Sequence, residues 1–187
     1  TTFTVDDENA VLLQEKGIQH ERAYLRRLQD EGRSVVEITS TGTLEERAEA
    51  TRRAMQEGHD VVYQGAFLAG RWHGYSDFLI RRDDVHSSLG AYAYDVADTK
   101  LARSAKAKHV LQLCVYAEML AEVQGVIPPQ MHVVLGSGEI TSLRTSSVLH
   151  YFSFARRPFS VSSTTSTTTV ITSPIFTGAR KFNVCDR

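Results

Sequence analysis

The chain predicts an α/β (α+β) fold, a central mixed sheet flanked by helices, and three observations carry that expectation. The order of patterned segments is helix, strand, helix, three central strands, helix, hairpin, helix, which packs naturally as helices on a sheet. Residues 43–58 and 104–125 carry long helical patterns that end in glycine. Residues 59–100 turn to strand-like composition, interrupted by the polar loop DDVHSSLG. At 187 residues the chain can build one domain with a real core.

Each element has a local reason. The opening TTFTVDDENA offers few core-forming positions and is expected as an irregular lead-in. A helix is expected from Lys16 to Glu31, with Ile18, Ala23, Tyr24 and Leu28 approximating one apolar stripe. SVVEIT, Ser34 to Thr39, is a short strand candidate. In TLEERAEATRRAMQEG, Thr43 is placed as N-cap, Glu46 at the capping-box position and Gly58 as C-cap. The central region then supplies two or three strands ending in AYAYDVADTK. A helix from about Ser104 to Gln124 is stopped by Gly125 and the Pro128-Pro129 pair. MHVVLGSGEITSLR reads as a hairpin turning at Gly136, Ser137 and Gly138, and SSVLHYFSFARR as a closing helix. From Ser160 to Ser173 all but three residues are Ser or Thr, a low-complexity composition of the linker or tail type. The chain therefore divides into a folded domain, 1–157, and a tail, 158–187.

Composition narrows the function classes. Hydrophobic residues make up 42% and charged residues 23%, with a formal net charge of -1, so binding of a polyanion has to rest on a local patch. No apolar run approaches the ~20 residues of a membrane span, and no signal peptide is visible at the start. A first residue of Thr rather than Met suggests a piece of something longer. Cys114 and Cys185 form no CxxC, which makes a reduced cytosolic setting the default, without a zinc knuckle or disulfide scaffold.

Residues 94–103, YDVADTKLAR, raise the chemical question. Strand alternation puts Asp98 and Lys100 on the face of Tyr94 and Val96, opposite Asp95, Ala97 and Thr99. Such a pair is either a surface ion pair, worth little, or a metal ligand beside a proton-handling or charge-stabilising group. Three other pieces stand out: His20-Glu21 on the first helix, Asp77 in GYSDFLIR, and Gln112 with Tyr116 in QLCVY. The last two are four apart and share a helix face. Each piece alone has an ordinary structural explanation, as a packing histidine, a strand-end acid or a core-bordering pair.

Together they resemble the RecB-like branch of the PD-(D/E)XK nuclease superfamily. The likeness lies in an acid, then acid-x-Lys on the adjoining strand, then Gln-x-x-x-Tyr on the next helix, all preceded by a helix bearing His. HERAYL, GYSDFL, YDVADTKLAR and QLCVYAEML stand in that order over roughly residues 16–155. The resemblance implies a restriction-endonuclease-like core and a metal-dependent nuclease cutting phosphodiester bonds in DNA. Single-stranded DNA or DNA ends are the implied substrate, a helicase in cis or trans the implied partner, and the bacterial cytoplasm the implied setting.

It also implies roles. Asp77 and Asp98 would hold Mg²⁺ or Mn²⁺, the Thr99 backbone carbonyl would complete part of the shell, and His20 would be an additional ligand. Lys100 would position or help deprotonate the attacking water and offset transition-state charge. Gln112 and Tyr116 would orient the substrate backbone or brace Lys100, and Glu21 would be an outer or second-metal group. Asp98 departs from the Glu that many relatives carry. Iron–sulfur members use four cysteines around the core, so no cluster is supported here. Arg22, Arg26 and Arg27, and Arg103, Lys106 and Lys108, would line a groove for a nucleic-acid backbone or form solvated helix faces. Two other readings stay open: a nuclease-like module that binds without cutting, and an unrelated metal-dependent hydrolase of a small phosphorylated substrate. The second lacks a Gly-rich phosphate loop or HD-type pair.

Overall fold

A computed structural model describes residues 5–69, 72–155 and 182–184. Its elements run α1 (Val5–Asp30), β1 (Val35–Glu37), α2 (Leu44–Gln56), β2 (Val61–Ala69), β3 (Trp72–Arg82) and β4 (Ala93–Lys100). They continue with α3 (Ala107–Gln124), β5 (Gln130–Leu135), β6 (Ile140–Arg144), α4 (Thr145–Ala155) and β7 (Phe182–Val184). This is the expected mixed α/β architecture. Strands β1 to β6 lie side by side in chain order, and β7 pairs with β3 off that path. The β1–β2 and β4–β5 pairs are parallel and the others antiparallel. Both parallel pairs are bridged by a helix, α2 or α3, as a parallel connection requires.

Two apolar clusters sandwich the sheet. The larger joins Ala54 and Met55 of α2 and Leu113, Tyr116 and Leu120 of α3 to Leu79, Tyr94, Val96 and Val133 of the strands. The smaller, on the other face, holds Tyr24, Leu25 and Leu28 of α1 against Val61, Phe78, Ala97 and Val134. Neighbouring strand residues such as Val96 and Ala97 divide between the clusters, as a two-sided buried sheet demands. Where β5 has not yet begun, the buried Gln124 amide pairs with both backbone groups of Tyr94, at 2.8 and 3.1 Å. Gly125 ends α3 in the left-handed region, φ 73°, which glycine adopts without strain.

Several boundaries differ from expectation. Helix α1 begins at Val5 rather than Lys16, so residues 5–10 are not an irregular lead-in. Val11, Leu12, Leu13 and Ile18 remain exposed, so residues 9–16 are helical by local propensity and not by burial. The stripe that does pack is Tyr24, Leu25 and Leu28; Ile18 and Ala23 face outward. The capping box of Thr43 and Glu46 is present, but the C-cap is Glu57, with Gly58 one residue beyond at φ 75°. Helix α3 starts at Ala107, after an irregular 101–106 segment. Of the tail 158–187, only Phe182–Val184 is described, as a strand on Trp72–Gly74 of β3; the rest, including the Ser/Thr run, lies outside the described residues.

Candidate active site

The β3–β4 ladder runs from Arg82↔Ala93 to Phe78↔Ala97, which leaves Asp77 and Asp98 as the next residue on each strand. Leu79 and Val96 pair on the α3 face, so alternation along β4 assigns Asp98 to that face, while Asp77 stands opposite the irregular Gln64. Both are buried, at 1% and 0% exposure. Beyond the ladder a side chain takes over from the backbone. Asp77 Oδ2 accepts the Thr99 N–H and the Thr99 hydroxyl, each at 2.9 Å. Asp77 thus fixes the stretch of β4 that carries Asp98, Thr99 and Lys100.

Lys100 is ion-paired through Nζ to Asp98 Oδ2. It is a half-buried pair, since the Lys100 side chain is 23% exposed and that of Asp98 1%, and breaking one partner of such a pair strands a buried charge. On α3, Gln112 Nε2 donates to the Tyr116 hydroxyl at 2.8 Å with both residues buried. Sequence reasoning assigned nothing to His109, which stands one turn before Gln112. It is buried, its Nδ1 accepts the Lys106 N–H at 3.3 Å, and burial followed by the charges of Lys100, Lys108 and Lys106 lowers its pKa to about 4. The signal available was its i, i+3, i+7 spacing to Gln112 and Tyr116.

His20 lies on the α1 face, with Nε2 3.2 Å from the Val134 carbonyl. Among the described residues no three His, Cys, Asp or Glu side chains gather as a metal-holding group, so His20 is not brought together with Asp77 and Asp98. Its neighbour Glu21 is gripped from β2. Gln64 takes φ 58°, in the region a non-glycine residue rarely occupies. That local irregularity turns Gln64 toward α1, the side Tyr63 already faces, and Gln64 Nε2 donates to Glu21 Oε1. The Tyr63 hydroxyl, buried and bonded to Glu21, is pushed up to about 12.

Two further features went unread in the sequence. Thr51, buried in α2, accepts the Ala66 N–H at 2.9 Å where β1 no longer covers the edge of β2. Arg47, also on α2, stacks 4.2 Å over the Tyr75 ring. Of the basic residues singled out, Arg22 and Arg27 lie beside Glu37 and Glu31 on an exposed surface, whereas Lys106 and Lys108 stand near Lys100 through His109.

The other buried acid of β4 contrasts with Asp98. Asp95 accepts from Arg82 at 2.8 Å and from the Gln130 N–H at 3.1 Å, with His132 at 3.4 Å, so it is a structural tie. A cavity of about 440 Å³ bordered by Arg82, Pro129 and Arg144 lies at that end of the sheet, about 16 Å along β4 from Lys100. Its Arg82 is already committed to Asp84 and Asp95.

No family model matches the chain, and no curated protein does. None of the helices is long and apolar enough to cross a membrane, among the described residues.

Proposed function

We propose that the chain is a metal-dependent nuclease of the RecB-like PD-(D/E)XK type, hydrolysing phosphodiester bonds in DNA. The observation that carries this reading is the burial of Asp77 and Asp98 on adjacent strands, with Lys100 paired to Asp98. Carboxylates so buried persist as anions only beside positive charge; Lys100 supplies one such charge, and a divalent cation would supply two more. The donor set of hard oxygens suits Mg²⁺ or Mn²⁺.

Asp77, Asp98 and the Thr99 carbonyl would hold that ion, and the ion would supply polarisation of the phosphoryl oxygen and activation of water. Asp77 keeps Thr99 in place through Oδ2. Lys100 positions the attacking water and offsets charge that develops on the phosphate oxygens. The Gln112–Tyr116 pair presents polar groups from α3 for orienting the substrate backbone.

Purified protein is expected to cleave single-stranded DNA with Mg²⁺ or Mn²⁺. Asp98→Ala and Lys100→Ala should each lose roughly 100-fold or more of that rate. If the wild type cuts with neither metal and matches those variants, the nuclease reading fails. The engagement of His20 with the Val134 carbonyl favours one alternative, a nuclease-like module that binds without cutting. Salt-dependent DNA binding with no cleavage would establish it.

A further inference from the structure

We infer that Arg47 binds a backbone phosphate of the nucleic-acid strand beside the carboxylate site, an assignment that rests on the nuclease reading. The inward stripe of α2 is made by Thr51, Ala54 and Met55, all buried, and Arg47 stands one turn before Thr51 on that stripe. A guanidinium is an unusual occupant there. Arg47 is half-buried, and among the described residues its buried Nε has no hydrogen-bond partner.

Two acids of the same helix are engaged elsewhere. Glu46 accepts the Thr43 N–H at 2.8 Å, and Glu49 binds Arg52. Instead of a carboxylate, Arg47 has the Tyr75 ring, 4.2 Å away. Stacking fixes the plane of a guanidinium and leaves its in-plane N–H groups able to bind an anion. That fork matches phosphate geometry.

Placement supplies the ligand class. Tyr75 precedes Asp77 by two residues, about 7 Å along β3. Helices α2 and α3 cover one side of the sheet, α2 over β2 and α3 over β4. Arg47 therefore lies on the side of Asp98 and Lys100, over a ring that precedes Asp77 along β3 by a spacing on the order of one nucleotide. A strand whose scissile phosphate sits at the carboxylates offers a neighbouring phosphate toward Arg47.

The test measures binding of labelled oligodeoxythymidylate in EDTA across a salt series. Arg47→Gln and Arg47→Met should weaken binding and lower the slope of log affinity against log salt by about 0.7, the loss of one single-strand phosphate contact. Arg47→Lys should recover the slope. Variants with wild-type circular dichroism and an unchanged slope overturn the assignment, as does a wild type that shows no salt-dependent binding. Inorganic phosphate that raises the melting temperature of the wild type as much as the oligonucleotide does, and not that of Arg47→Gln, makes this a free-anion site and overturns the strand assignment. Loss of slope in a protein that never cleaves leaves Arg47 in place and sinks the nuclease reading alone.

Discussion

At the scale of single residues, His109 shows how a neighbourhood decides chemistry. Its imidazole is buried beside three lysines and uses Nδ1 as an acceptor, so protonation would remove a hydrogen bond and add a buried like charge. Its pKa falls from 6.5 to about 4 on folding. Between those values the unfolded chain binds the proton and the folded one does not. The resulting stability is complete above about pH 6.5 and is lost as the pH drops toward 4. Urea midpoints of wild type and His109→Gln should therefore diverge above pH 6.5 and converge toward pH 4; parallel curves would show that His109 is not held neutral. None of this was legible in the sequence, because it depends on Lys100 reaching α3. Asp98 and Lys100 were legible, since alternation alone puts them on one face. Gln112 and Tyr116 were legible from a four-residue spacing. Arg47 was not, because a ring on a different element makes it conspicuous, and the turn of Gln64 toward Glu21 depends on a backbone angle that no pattern announces.

Elements were read best where local signals agreed with packing. Helix α2 is the clearest case: Thr43 Oγ1 accepts from the Glu46 N–H at 3.2 Å while Glu46 returns the bond to the Thr43 N–H. The cap fixes the first turn, four residues into which stands Arg47. Thr43→Ala is expected to cost about 1 kcal/mol in a chemical denaturation measurement, with Thr43→Ser close to wild type. An alanine variant as stable as wild type would mean that burial of Thr51, Ala54 and Met55 holds the helix start unaided. The start of α1 was misread because residues 9–16 are helical while wholly exposed, so the periodicity that marks a helix is missing there. Mid-strand events were equally hidden. The β3–β4 ladder stops at Phe78↔Ala97, and only the fold shows that the carboxylate of Asp77 bridges the gap to Thr99.

Across the whole molecule the two faces of the sheet are unequal. The α2 and α3 face carries the large cluster. The α1 face depends on a small one in which Phe78 meets Tyr24 edge-on at 5.0 Å and Tyr63 at 5.1 Å. Helix α1 adds little beyond that seam: the Glu21 grip of Gln64, the His20 contact with Val134 and a row of exposed apolar residues. Regions with few buried contacts open at a fraction of the global free energy. The α1 amides should therefore exchange with solvent through a sub-global opening, while those of β4 and α3 wait for complete unfolding. Phe78→Ala removes the ring between the two tyrosines and should cost about 3–5 kcal/mol. Because Phe78 anchors α1, most of that cost should appear as faster exchange in residues 16–30, with β4 and α3 affected only through global stability. The direction has a functional meaning under the nuclease reading. His20 and Glu21 ride on the less stable layer, whereas Asp77, Asp98 and Lys100 are built into the more stable one. An exchange map in which α1 and α3 open together, in wild type and in Phe78→Ala alike, would show that the two faces fold as one unit and that His20 is held as firmly as the aspartates.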